Sequence, residues 1–121
     1  APLRQDWRTD EALQAIIKAG NHAGGSTVFI IPDDPRIHSP LATMAYLNKT
    51  PLDIRVASWD HIADTKADIV VTKDGQWMTP PHFLERINRS VIWFEDNKGM
   101  FRLIAKIGMP DNSNLLIYKR N

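Results

Sequence analysis

Two stretches gather residues able to do chemistry. Asp33 and Asp34 stand side by side, with Arg36 and His38 close behind, and Lys73 adjoins Asp74 farther along. Adjacent carboxylates offer the hard oxygen ligands that suit magnesium, and a nearby guanidinium and ammonium could hold a phosphate or sugar phosphate. Each stretch follows an apolar run with strand character, Val28-Phe29-Ile30-Ile31 and Ile69-Val70-Val71. In open parallel sheets ligands sit beyond the carboxyl ends of the strands, so Asp33, Asp34, Arg36, His38, Lys73 and Asp74 are expected on one rim as a ligand-binding set. The acidic pair resembles the magnesium pocket of phospho-acceptor receiver domains only loosely. Pro32 and Pro35 bracket it and force another turn, and solvated turn-forming acids fit the same pattern.

Other chemistries fit less well. His22, His38, His61 and His82 fall in separate segments without the i, i+4 spacing of a helical metal site. No serine lies in a nucleophile-elbow context, and Ser39 before Pro40 suits a helix cap. Ala23-Gly24-Gly25-Ser26 precedes a strand, whereas a phosphate cradle follows one. No catalytic residue, metal site or cofactor is therefore expected within the chain. Trp59 and Trp77 fall near the rim and suit either capping the sheet ends or stacking on a sugar, an isoprene unit or a protein partner.

Several elements must position these groups. Leu13, Ile16 and Ile17 recur at helical spacing after Thr9, and Gly20-Asn21 ends that helix. Ser26 to Ile31 is expected as the central strand, buried on both faces. Ser39-Pro40 reads as the start of a second helix carrying Leu41, Met44, Ala45 and Leu47, closed by Thr50-Pro51. Leu52, Ile54 and Val56 alternate with Asp53 and Arg55, the pattern of an edge strand with one wet face. Trp59 to Ala67 reads as a turn of helix or a loop, and Ile69 to Val71 as a short buried strand. After Thr79-Pro80, the residues Phe83, Leu84, Ile87, Val91 and Phe94 give a third helical stripe. Phe101 to Ile107 and Leu115 to Lys119 flank a turn cluster from Pro110 to Asn114 and predict an antiparallel hairpin, with Arg102 and Lys106 on the face opposite Phe101, Leu103 and Ala105. The order predicts an α/β three-layer sandwich, with a mostly parallel sheet and an antiparallel C-terminal hairpin, as one domain over residues 1–121.

The bulk numbers agree with a soluble folded domain. The chain has 121 residues, of which 43% are hydrophobic and 24% charged. That length suits one core, and that balance suits a folded chain. Cysteine is absent, which excludes a disulfide framework and thiolate metal sites. Residues 1–85 carry eight basic and eleven acidic side chains, and residues 86–121 seven and three. That tilt, from −3 to +4, is too mild to argue for nucleic acid, although basic residues on the hairpin could meet anionic lipid. No apolar run reaches the roughly 18 residues of a membrane span. The start at Ala1 reads as a piece of a larger parent.

Three runs carry a family resemblance: Ser26-Thr27-Val28-Phe29-Ile30-Ile31-Pro32-Asp33-Asp34-Pro35-Arg36, Ala67-Asp68-Ile69-Val70-Val71-Thr72-Lys73, and Met109-Pro110-Asp111-Asn112-Ser113 leading to Leu116-Ile117-Tyr118-Lys119-Arg120. Together they resemble the C-terminal soluble region of bacterial, especially cyanobacterial, multi-spanning glycosyltransferases similar to dolichyl-phosphate-mannose protein mannosyltransferases and the aminoarabinose-lipid transferases. The resemblance covers most of the chain in outline, on motifs of moderate specificity. It implies membrane helices before Ala1, a periplasmic placement, and a parent that moves a sugar from a polyprenyl-phosphate carrier. The family's acidic catalytic residue has no counterpart here. The implied role is non-catalytic, in acceptor binding or gating, with the parent's membrane-spanning part and a glycan or lipid-linked acceptor as partners. A freestanding small-molecule or nucleotide-binding module, or a protein-interaction module, is the alternative that the residues leave open.

Overall fold

The computed structural model describes residues 9–19, 26–31, 35–47, 49, 52–56, 67–74, 84–110 and 112–121. In chain order these form α1 (Thr9–Ala19), β1 (Ser26–Ile30), α2 (Pro35–Leu47), β2 (Leu52–Val56), β3 (Ile69–Asp74), α3 (Leu84–Asn97), a 3-10 turn (Lys98–Met100), β4 (Phe101–Gly108) and β5 (Asn114–Arg120). Each of the expected helices and strands is found among them.

Local chemistry accounts for most of the boundaries. α1 has Asp10 and Glu11 in its first turn and Lys18 in its last, the charge order that complements a helix dipole. α2 departs from expectation, since it begins at Pro35 and encloses Ser39 and Pro40 instead of starting there. Proline at a first helical position loses no intrahelical bond, because that amide has no partner in any helix. Pro40 is the costly one, since it cannot donate to the carbonyl four residues back. The helix ends through Lys49, whose φ of 53° is left-handed and whose amide donates to the Tyr46 carbonyl at 3.1 Å. Thr50 and Pro51 lie outside the described residues.

Among the described residues five strands form one sheet in the order β2-β1-β3-β5-β4. β1 pairs in parallel with β2 and with β3, while β5 is antiparallel to both β3 and β4. The sheet is thus mixed, not mostly parallel. β3 takes the middle position expected of Ser26 to Ile31, and β1 lies between β2 and β3. The reason is topological: β5 folds back from the hairpin onto the free edge of β3, adding two strands on that side.

Side chains along β1 and β3 alternate between two hydrophobic clusters, as strand geometry requires. Val28, Ile30, Ile69 and Val71 join Leu13 and Ile16 of α1 and Leu41 and Ala45 of α2, together with Leu115 and Ile117 of β5. Phe29, Ile31 and Val70 join Phe94 of α3, Phe101 and Tyr118, with Val91 and Trp93 packed against them. β1 is therefore buried on both faces, as its sequence predicts.

The hairpin carries a feature that simple alternation misses. The β4–β5 register shifts between Leu103 and Ala105, which marks a bulge at Ile104. Phe101 and Ile107 are six residues apart and would share a face in a regular strand, yet they enter different clusters. Ile104 and Ala105 both pack toward the α1/α2 cluster, whereas Leu103 is 49% exposed. Arg102 and Lys106 consequently lie on opposite faces, which corrects the expectation of one shared basic face. The connecting turn places Asn112 at φ 65°, with its amide donating to the Met109 carbonyl at 3.1 Å. Asparagine tolerates that left-handed conformation.

Candidate functional site

The carboxyl end of β3 is the described part of the expected rim. Lys73 is 3% exposed and Asp74 is exposed. Lys73 pairs across the ladder with Leu115, a member of the α1/α2 cluster, so by strand alternation its side chain leaves the sheet on that side. Asp74 pairs with Asn114 at the start of β5. Its Oδ1 accepts the Asn114 backbone N–H, and its Oδ2 accepts from Asn114 Nδ2 at 3.1 Å. A carboxylate engaged by two donors is a strand clamp first, and its lone pairs are only partly open to a ligand.

The remaining members of the set are placed less fully. Arg36 and His38 lie in the first turn of α2 by backbone position. Asp33 and Asp34 lie outside the described residues, as do Trp59 and Trp77. Among the described residues no group of three or more His, Asp or Glu side chains is arranged to hold a metal ion.

The opposite end of β3 carries a second clamp that the sequence pattern does not reveal. Asp68 Oδ2 accepts the Thr27 backbone N–H at 2.9 Å, while the Asp68 amide donates to the Thr27 carbonyl at 2.9 Å. The Asp68 carbonyl accepts the Arg120 amide at 2.8 Å. Asp68 thereby ties β1, β3 and β5 together. Its partners are distant in sequence, so its only local signal is an acid immediately before an apolar strand.

Arg120 completes this end. Its Nε donates to the Ala67 carbonyl at 2.7 Å, and its guanidinium carbon lies 4.8 Å from the Phe101 ring centroid. Lys98 Nζ lies 5.5 Å from the Tyr118 centroid. Beneath these cations Phe94 meets Tyr118 edge-on, with centroids 5.0 Å apart and planes at 70°. It meets Phe101 at 5.7 Å with planes at 56°. Tilted and edge-on contacts of this kind suit the ring quadrupoles, and the cations lie over ring faces that attract positive charge. Lys98 and Arg120 thus cap an aromatic cluster.

Two further surfaces lie away from the rim. An open groove of about 410 Å³ runs between α1 and β4, floored by Ala15, Ala105 and Ile107 and edged by Asp10, Glu11 and Lys18. On β2, Arg55 Nη2 sits 2.6 Å from Asp53 Oδ2, and Arg55 Nε donates to the same oxygen at 2.8 Å. That hydrogen bond, and then the carboxylate charge, hold the guanidinium above its ordinary, already high pKa.

The molecule defined by these elements is an α/β domain on a mixed five-stranded sheet, counted over the described residues. Comparison with family models, with curated proteins and with solved structures gave no match. No helix among the described residues is long and apolar enough to cross a membrane.

Proposed function

We propose that this chain is a non-catalytic accessory domain of a membrane glycosyltransferase that uses a polyprenyl-phosphate sugar, placed on the periplasmic face and serving acceptor binding or gating. The identity of the parent rests on the resemblance of the three sequence runs. The observation that supports the non-catalytic part is the engagement of Asp74: this carboxylate, the described one of the three on the expected rim, accepts two hydrogen bonds from Asn114. Asp68, just before the other end of the same strand, accepts the Thr27 backbone N–H. Such carboxylates hold strands in register, the work of a scaffold. We further propose a three-layer arrangement, α1 and α2 on one side of the sheet and α3 on the other, supported by the division of the buried side chains into two clusters.

The decisive test is the reading frame that encodes the chain. Several apolar runs of about 20 residues upstream of Ala1 are expected, each long enough to span a bilayer. A short parent without such runs overturns the proposal. Removing residues 1–121 from the parent should then lower transfer to the acceptor while leaving donor binding in place.

One observation favours a second reading. Lys73 is buried at the carboxyl end of the central strand, where α/β sheets bind ligands. On that reading the rim of Asp33, Asp34, Arg36, His38, Lys73 and Asp74 takes a nucleotide or sugar phosphate. Thermal unfolding with nucleotides, sugar phosphates and magnesium tests it, and an unchanged midpoint with every one of them removes it.

A further inference from the structure

The two sheet edges differ in how they treat a neighbouring strand. An exposed edge presents unpaired N–H and C=O groups and invites pairing, so natural edges carry bulges and like charges that discourage it. β4 has both devices, with its bulge at Ile104 and the cations Arg102 and Lys106. β2, the other edge strand, has the short sequence Leu52-Asp53-Ile54-Arg55-Val56 and a continuous register with β1. Among the described residues no strand pairs with its outer edge.

The charges on β2 are self-complementary under a two-fold axis. Asp53 and Arg55 flank Ile54 and project on the same face, with side chains 49% and 51% exposed. In an antiparallel pairing of β2 with β2 of a second copy, centred on Ile54, Asp53 of each copy stands opposite Arg55 of the other. Directly opposite residues on adjacent strands approach to about 5 Å between Cβ atoms, closer than neighbours on one strand, so each carboxylate gains a second guanidinium. Shifting the centre to Asp53 or Arg55 places like charges face to face, and a one-residue slip sets each charge opposite an apolar residue of the other copy.

A second observation points to the same edge. Tyr46 and Leu47, 83% and 71% exposed, are the most exposed large hydrophobic residues among those described, and both end α2. α2 packs against β2. The two-fold axis brings the two copies of α2 side by side on one face of the joined sheet, where these side chains would be covered. A five-residue strand pair alone falls well short of the roughly 800 Å² per partner of a standard interface, so the α2 contact has to supply part of it.

We infer that the partner of the β2 edge is a second copy of this chain, joined by antiparallel β2–β2 pairing about Ile54 with reciprocal Asp53–Arg55 ion pairs and with α2 packed beside its twin. The interface is isologous, the form that closed two-fold dimers take. It is independent of the rim and of any parent.

Sedimentation equilibrium of the 121-residue chain, from micromolar to millimolar, tests this. The mass should rise with concentration from 13.8 kDa to twice that value. Asp53→Lys alone, or Arg55→Asp alone, sets like charges opposite one another and should weaken association by about a hundredfold or more. An equimolar mixture of the two variants makes every opposing pair complementary again and should restore association to within about tenfold of the wild type. Circular dichroism reports whether each variant folds. Amide exchange of Leu52 to Val56 in the wild type, which should slow as concentration rises, gives a reading that needs no variant. A wild type that stays at single-chain mass at millimolar concentration overturns the inference. So do folded single variants that associate as tightly as the wild type, or a mixture of folded variants that does not recover.

Discussion

Asp68, Asp74 and Arg120 show how this chain uses its charged residues at the ends of its central strand. Each accepts or donates across strands that are far apart in sequence, which is why none was legible as a clamp. Asp74 was legible only as an acid at a strand end, a position that suits ligand binding and strand tying equally, and its partner Asn114 lies 40 residues away. Asp74→Ala should lower stability by about 1 kcal/mol, the modest value of an exposed charge-assisted bond, seen as a lower urea midpoint with unchanged slope. Asp74→Asn, which keeps one acceptor oxygen, should lose less. Arg120→Ala removes both the Ala67 carbonyl bond and the contact with Phe101, and about 1–2 kcal/mol is expected. Arg120→Lys should recover less than half of that, because an ammonium cannot lie flat over a ring while donating sideways to a carbonyl.

Elements were legible where one period dominates. The spacing of Leu13 and Ile16 marks α1, and the unbroken apolar run at Val28 to Ile31 marks a strand buried on both sides. The misreadings have local causes. Ser39-Pro40 looks like a helix start because the cap and the proline agree, but Pro35 supplies an equally good start one turn earlier, and Ile37 enters the core from that extra turn. The bulge at Ile104 was hidden because Leu103, Ile104 and Ala105 are all apolar, so the pattern does not reveal which of them is the extra residue. The order of strands could not be read either, since the return of β5 onto β3 is a long-range choice. Pro40 now stands inside α2 without an amide to donate, exposed to solvent. Pro40→Ala restores that hydrogen bond, while the freer unfolded chain takes back part of the gain. A net stabilisation of about 1–2 kcal/mol is expected, measured as a higher urea midpoint, with the new amide at residue 40 protected from exchange.

At the scale of the whole molecule, β1 and β3 belong to both clusters at once. Val28 and Phe29 are chain neighbours, yet one packs with α1 and α2 and the other with α3. Damage on one side of the sheet must therefore reach the other through a shared backbone rather than through side-chain contact. Leu13→Ala, a fully buried truncation in the α1/α2 cluster, should cost about 2–5 kcal/mol, and Phe94→Ala, at the centre of the aromatic cluster, about 3–5 kcal/mol. Each is a large fraction of the roughly 5–15 kcal/mol that a domain of this size commands. The informative result is where the loss is felt. In urea, the Ile16 methyl and the Tyr118 ring should lose their native NMR signals at one common midpoint in the wild type and in both variants, with that midpoint lowered by either substitution. Were Leu13→Ala to shift Ile16 while leaving Tyr118 at its wild-type midpoint, the two clusters would be separate folding units, and their coupling through the shared strands would be refuted.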